Sequence, residues 1–213
     1  ENGIKIIYQG IVFNPENQTF GFPDLMIRSD YLNEIIETDI ISKRKSKKGC
    51  KFSKNWHYRI VDIKFSTFTL KVDNKNLRNT GTTPYKSQMY IYTQALGYMQ
   101  NLVPRKAYLI GRGWKHEDTK SINPFNRMVQ IDFIKADKTI EDLTNKAIVW
   151  LKDLKKNGHK WDILPTPTKI ELYPNMCNVN HRWNKATKLI ADELKDITSL
   201  WYCGVKQRKI AHS

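Results

Sequence analysis

Two apolar segments carry acidic side chains at positions where they could hold a divalent cation. Asp24 follows Gly21-Phe22-Pro23, and Asp62-Ile63-Lys64 lies within the β-branched segment from Tyr58 to Phe65. Carboxylate oxygens are ligands that Mg²⁺ and Mn²⁺ prefer, and a nearby ammonium can stabilise charge that develops on a phosphoryl oxygen. Asp24, Asp62 and Lys64 therefore indicate metal-assisted hydrolysis of a phosphodiester.

The strand geometry predicts that Asp62 and Lys64 share one face. Because side chains alternate along a strand, Val61, Ile63 and Phe65 should point to the other face, which we expect to be the core. The alternative is an ordinary ion pair between Asp62 and Lys64 on a solvated sheet face. A charged pair in so apolar a strand favours a metal, a phosphate or each other as the partner.

The pattern acid-x-Lys is unspecific by itself, and its context has to identify the relevant copy. Asp62 is the copy that lies in a strongly apolar strand, with a Pro-Asp pair before it and a capped helix after it. The other copies begin at Asp73, Asp118, Asp153 and Glu193.

The helix after this strand adds an amide and a phenol. Thr82-Thr83-Pro84 offers an N-cap hydroxyl and a proline at the first helical position, which predicts a helix from about Tyr85 to Gln100. Gln88 and Tyr92 are four residues apart and therefore share a face of that helix. Gln94 and Tyr98 repeat the spacing, but packing is the simpler role for this later pair.

Together, Gly21-x-x-Asp24, Asp62-x-Lys64 and Gln88-x-x-x-Tyr92, in this order, resemble the RecB-like branch of the PD-(D/E)xK nuclease superfamily. That branch includes the CRISPR-associated RecB-type exonucleases and is related to phage lambda exonuclease. The resemblance covers roughly residues 4 to 112, about half of the chain. It implies an α/β fold with a restriction-endonuclease-like core, in which helices flank a central mixed β-sheet, and exonuclease-type cutting of DNA with Mg²⁺ or Mn²⁺.

The resemblance also implies roles for the individual residues. Asp24 and Asp62 would be metal ligands, and the backbone carbonyl of Ile63 would assist them. Lys64 would polarise the attacking water or stabilise the pentavalent transition state. The residues that would support the site and the DNA strand are Gln88 and Tyr92.

Two features of the family are not reproduced. Its members usually add an acid or a histidine from a helix before the hairpin, and Glu1 is the candidate remnant of that ligand. CRISPR-associated members often carry four cysteines for an iron–sulfur cluster, whereas Cys50, Cys177 and Cys203 stand far apart. We therefore predict no cluster, and a reducing, intracellular setting fits these cysteines best.

The charge balance indicates a polyanionic partner. The chain has 36 Lys+Arg against 21 Asp+Glu, a formal net charge of +15, and such an excess favours binding to nucleic acid. A lysine-rich composition caused by AT-biased codons is the alternative explanation. A basic loop between Asp24 and Asp62 should lie beside the cleft and bind DNA phosphates, and its cations are Lys43, Arg44, Lys45, Lys47 and Lys48.

The elements that position these residues follow from periodicity and turn signals. A hairpin over residues 4–13 and 20–27, a strand over 58–65 and the following helix build the first half. Two further strands, near 105–110 and 128–134, precede a helix that ends at Asn157-Gly158. We expect a nuclease core over residues 1–160, and a proline-rich connector with a helix at 183–201 over 161–213 that leads to a missing C-terminal region.

Three functions remain open from the residues alone: a DNA nuclease, a catalytically inactive or accessory DNA-binding module of the same fold, and an RNA-processing or structural protein of a large DNA virus. No apolar run approaches the roughly 20 residues that cross a bilayer, so we expect no membrane association. The expected location is the cytoplasm or nucleus of a host cell, or a virus particle. A homo-oligomer or further domains of a longer chain are the other partners considered.

Overall fold

The computed structural model describes residues 3–178 and 181–212. The chain divides into two compact units, Glu1–Ile148 and Val149–Ser213. The first unit contains every strand of the described residues, and the second is helical. Within the described residues, no helix has a stretch long and apolar enough to cross a lipid bilayer.

The first unit contains a mixed sheet of six strands and a separate sheet of two strands. Both sheets contact the helix α2 (Thr83–Gln100). The chain supplies, in order, β1 (Ile6–Tyr8), β2 (Val12–Asn14), β3 (Thr19–Gly21), β4 (Leu25–Arg28), β5 (Tyr58–Thr69), β6 (Lys106–His116), β7 (Thr119–Ser121) and β8 (Val129–Asp132). The large sheet has the order β1-β4-β5-β6-β7, and β8 also pairs with β6. Among the strands of the described residues, only β5 and β6 are paired in parallel, and a helix connects them, as parallel neighbours require.

The helices are α1 (Lys43–Ser46), α2 (Thr83–Gln100), α3 (Thr139–Asn157), α4 (Asn184–Glu193) and α5 (Val205–Ala211). The crossover helix α2 begins within two residues of its predicted start and ends where it was predicted. Thr82 is its N-cap, but the Thr82 side chain does not cap the helix. Its hydroxyl donates instead to the carbonyl of Asn79 at 3.2 Å, so the predicted capping bond is wrong.

Apolar side chains cover both faces of the sheet because successive residues of the central strands point to opposite sides. Ile60 and Leu109 belong to a core cluster that includes Met89 and Leu96 of α2. Val61 and Tyr108, their chain neighbours, belong to a second cluster on the other face. The α/β class and the mixed sheet flanked by helices therefore match the sequence-based expectation.

The predicted hairpin is present but broken into two pairs. β1 pairs with β4, and β2 pairs with β3, both antiparallel, in two different sheets. Gln9 has a positive φ of 46° between β1 and β2, and Pro23 separates β3 from β4. Each predicted continuous strand therefore bends once and contributes to both sheets.

The second unit has its own buried ion pair. Arg208 Nη1 lies 2.9 Å from Asp196 Oδ2, and both side chains are almost completely buried. The helix predicted over residues 183–201 is shorter: α4 ends at Glu193, and Lys195 has a positive φ of 49°. Residues 197–199 then form a separate 3-10 turn.

Candidate active site

The bend at Pro23 places the Asp24 carboxylate against β5. The β4–β5 ladder ends with the pair Leu25 and Val61. One step further along this antiparallel register, Asp24 would lie opposite Asp62. Asp24 Oδ2 accepts a hydrogen bond of 2.7 Å from the backbone N–H of Ile63, so its carboxylate lies beside the peptide that joins Asp62 to Ile63.

Asp62 is the buried acid of this group. It is only 2% exposed, and burial raises the pKa of its carboxyl group; Lys64 lowers that pKa and the nearby Asp24 raises it further. A buried carboxylate beside a second carboxylate is disfavoured in its charged form unless cations compensate. The site therefore favours a positive group between or beside the two acids.

Lys64 supplies one such group. Its Nζ lies 2.5 Å from Oδ2 of Asp62, although no well-aligned hydrogen bond reaches that oxygen from any described residue. The contact is a close charge pair, because Coulomb attraction depends on separation more than on angle. The same Nζ lies 5.6 Å from the ring centroid of Tyr85 on α2.

Gln88 and Tyr92 connect α2 to the segment that carries Asp24. Gln88 Nε2 donates to the Tyr92 hydroxyl at 2.9 Å. The Tyr92 ring packs directly on Gly21, because a Cβ atom at Gly21 would lie 2.1 Å from Cε1 of Tyr92. The glycine of the motif therefore permits a close approach that fixes the chain three residues before Asp24.

The structure thus brings the three predicted motifs into one region, but two side chains of β5 were assigned wrongly. Ile63 is 50% exposed and Phe65 is 89% exposed, whereas both were expected in the core. β4 ends opposite Val61, so these residues extend beyond its last paired position. The role predicted for the Ile63 carbonyl stays a prediction; the contact observed is made by the Ile63 N–H.

The predicted DNA-binding loop contacts the residue that precedes β5. Most of its cations are on or next to α1, and the carbonyl of Lys48 accepts a 2.7 Å hydrogen bond from Nδ1 of His57. His57 precedes Asp62 by five residues, which corresponds to about 16 Å along a strand. The end of the loop therefore approaches the start of β5, and the predicted position of its cations beside the carboxylates stays a prediction. The five side chains, Lys43, Arg44, Lys45, Lys47 and Lys48, are all exposed there.

The donors available to a metal are two carboxylates. Among residues 3–178 and 181–212, no group of three or more His, Cys, Asp or Glu side chains could hold a metal ion. Asp24 and Asp62 fit a hard cation in part, because both carboxylates lie beside the same stretch of β5, although Oδ2 of Asp62 already has Lys64 Nζ at 2.5 Å. Glu1, the candidate third ligand, lies outside the described residues.

The sequence interpretation missed a second charged residue in the same strand. Arg59 is 7% exposed, and it lies in the apolar segment that singled out Asp62. The same signal, a charge among β-branched residues, could have found it. No acid-x-Lys pattern includes Arg59, so the motifs alone do not indicate it.

No protein-family model matches this sequence, and no curated protein matches it either. The chemistry of the site is therefore inferred from the contacts of Asp24, Asp62 and Lys64.

Proposed function

We propose that this chain is a divalent-metal-dependent deoxyribonuclease with exonuclease-type activity, built on a restriction-endonuclease-like core of the RecB-like branch. The observation that carries the proposal is the convergence of two carboxylates and one ammonium, one acid from the residue before β4 and the other two groups from β5. Asp24 contacts the Ile63 peptide at 2.7 Å, and Lys64 lies 2.5 Å from Asp62. This combination can hold a cation and a phosphate together.

Asp24 and Asp62 would hold Mg²⁺ or Mn²⁺, which when bound acts as a Lewis acid and lowers the pKa of a coordinated water. The Ile63 N–H fixes the orientation of the Asp24 carboxylate. Lys64 is partly exposed, so its ammonium can turn from Asp62 to a phosphoryl oxygen and stabilise the negative charge there. Gln88 and Tyr92 hold the Gly21 segment in place through the ring contact.

One specific observation favours a second candidate, a catalytically inactive or accessory DNA-binding module of the same fold. In the structure Lys64 neutralises the carboxylate that would have to bind the cation. A site that has lost turnover can keep such an ion pair for stability alone. The two candidates differ in whether bound DNA is degraded.

The test compares DNA degradation in Mg²⁺, in Mn²⁺ and in EDTA, with linear DNA, circular DNA and RNA as substrates. We expect metal-dependent loss of linear DNA, and Asp62→Asn should lower its rate by about a hundredfold or more, since metal-assisted charge stabilisation supplies several kcal/mol. Lys64→Ala should lower it by on the order of 10²- to 10³-fold.

Asp118→Asn is the matched control, because Asp118 begins another acid-x-Lys pattern and is exposed in the turn between β6 and β7. This variant should degrade DNA at the wild-type rate. DNA binding without degradation in either metal would favour the inactive module. Preference for RNA, or equal losses in both aspartate variants, would contradict the assignment.

A further inference from the structure

A pocket in the first unit lies where β5 and β6 begin. Its volume is about 670 Å³, within the range of about 300–1,000 Å³ typical of small-molecule sites. Its buried lining includes His57, Arg59 and Tyr108, and an apolar wall comes from Leu102 and its neighbours. The other cations of the lining are Arg44, Lys45, Lys48, Arg105 and Lys106.

Arg59 is a buried cation without an acidic partner. Its Nε donates to Nε2 of His57 at 3.1 Å, and its remaining contacts are 3.5 Å from the Lys106 carbonyl and the Tyr108 hydroxyl. All three are neutral groups, and no acid of the described residues forms an ion pair with Arg59. Burying an unpaired charge is unfavourable, so the pocket favours an anion beside Arg59.

His57 holds Arg59 in place and does not neutralise it. Its Nδ1 lies 2.7 Å from the Lys48 carbonyl, which assigns the proton to Nδ1 and leaves Nε2 to accept from Arg59. Burial, followed by the charge of Arg59, lowers the pKa of His57 to about 4. The imidazole is therefore neutral at physiological pH and acts as a positioning residue.

The positive charge around Arg59 is only partly balanced. Two acids act on groups of the pocket. Asp30 acts to raise the pKa of His57, but it already pairs with Arg28 at 2.6 Å. Asp132 lies 3.0 Å from Arg105 and 3.9 Å from Lys106. The pKa of Lys106 is lower than its ordinary value. Burial is the main cause, and the charges of Lys45 and Arg105 add to it, whereas Asp132 acts in the opposite direction. The cations therefore repel one another, and a multiply charged anion would relieve that repulsion.

We propose that this pocket binds the phosphoryl groups of a small phosphorylated ligand of nucleotide size, without a metal. The planar guanidinium of Arg59 can donate two parallel hydrogen bonds to phosphate oxygens, and the lysines add charge around them. A concave pocket with an apolar wall fits a small ligand that carries an apolar or aromatic part. A nucleic-acid strand shares the phosphate chemistry and is the source to be distinguished. The proposal does not depend on the nuclease activity.

The experiment is calorimetric titration of the full chain in EDTA at fixed ionic strength with tripolyphosphate, ATP and an oligodeoxynucleotide. We expect saturable binding of tripolyphosphate and ATP, weakened about tenfold or more by Arg59→Gln, since truncating one partner of a buried charge pair is costly. The control is Lys138→Ala, an exposed lysine of the same unit outside the pocket, and it should bind as the wild type does.

Two further variants keep the test decisive. If Arg59→Gln fails to fold, the exposed pair Arg44→Ala and Lys45→Ala should still weaken ATP binding. Asp62→Asn should leave binding unchanged, which separates this pocket from the carboxylate site. Absence of saturable binding, equal losses in the Lys138 variant, or binding of the oligonucleotide alone would overturn the proposal.

Discussion

At the scale of single residues, His57 shows how burial determines protonation. It is 1% exposed, it contacts a carbonyl through Nδ1 and it accepts from Arg59 through Nε2. Protonation would place a second cation beside the Arg59 guanidinium in a buried location. The folded protein therefore depends on the neutral form of this side chain.

This dependence predicts that stability falls with acidification below neutral pH. The pKa of His57 is about 4 in the folded protein, against about 6.5 when unfolded, so between these values the unfolded chain binds more protons. The contribution is fully present above about pH 6.5 and is lost as the pH falls towards 4, by up to about 3 kcal/mol. Urea unfolding at about pH 7.5 and about pH 5 measures it.

His57→Gln keeps an acceptor for Arg59 but cannot titrate, so the free energy of unfolding of this variant should change less between the two pH values. His159→Gln, at an exposed position of the second unit, should retain the wild-type difference. A wild-type pH dependence in the His57 variant would contradict the interpretation.

Buried cations were the residues least accessible to sequence reasoning. Lys86 is 1% exposed, and its Nζ contacts Asp137 Oδ1 at 2.6 Å and Asn79 Oδ1 at 2.7 Å. A lysine in a helix is usually solvated, and Asp137 lies 51 residues away, so no local pattern indicates the pair. Asp62 could be predicted because an acid in a β-branched strand is itself unusual.

At the scale of elements, the site depends on the break between β3 and β4. Residues 4–13 and 20–27 look like two continuous strands because they are apolar and β-branched. The matching bend between β1 and β2 has a positive φ at Gln9, which is uncommon for a residue other than glycine and was not expected. The backbone N–H of Gln9 donates to the Asp24 carbonyl at 2.9 Å, so this unpredicted bend helps to place the predicted acid.

The crossover helix could be predicted much better than this hairpin. A proline at the first turn and an αL residue, Asn101, directly after Gln100 define its ends. What the helix contacts could not be read from its sequence, because the packing of Tyr92 on Gly21 joins residues that lie far apart in the chain.

We predict that Gly21→Ala destabilises the protein through that contact. The new methyl group would overlap the Tyr92 ring, and overpacking of this kind typically lowers the free energy of unfolding by about 1–3 kcal/mol. Chemical unfolding of the purified variant gives the value. The ring would have to move away from the Gly21 segment, or that segment would have to move away from the helix.

A double-mutant cycle isolates the effect. Tyr92→Ala removes the ring, so Gly21→Ala should cost about 1 kcal/mol less in that background than in the wild type. Tyr92→Phe is the control, because it removes the hydrogen bond with Gln88 and keeps the ring. Equal costs of Gly21→Ala in the Tyr92→Ala and wild-type backgrounds would show that the methyl group strains something else.

At the scale of the whole molecule, the net charge of +15 could be counted in advance, but its distribution could not. Three exposed cations of the basic loop line one pocket together with Arg59, Arg105 and Lys106, although the two groups lie far apart in the sequence. Asp62 of the candidate active site lies further along β5, and the Asp24 carboxylate contacts the next residue, Ile63. Strand pairing produces this separation, since β6 starts beside the first half of β5.

If the basic loop contacts DNA, its cations should contribute to the salt dependence of DNA binding. If its five cations contact phosphates, replacing them with glutamine should flatten the slope of log K against log salt by up to about 0.9 per lost contact, because fewer counterions are released. The replaced residues are Lys43, Arg44, Lys45, Lys47 and Lys48. The measurement is duplex binding by fluorescence anisotropy across a salt series in EDTA.

The matched control removes the same number of charges elsewhere, from exposed lysines at Lys138, Lys155, Lys156, Lys160 and Lys206. A general loss of net charge would weaken binding similarly in both variants, whereas a direct contact would flatten the slope only in the first. An unchanged slope in the first variant would show that the basic loop does not contact the DNA phosphates. The proposed phosphate pocket would then be the remaining binding site for Arg44, Lys45 and Lys48. That pocket is too small for a duplex but can hold a small, highly charged ligand.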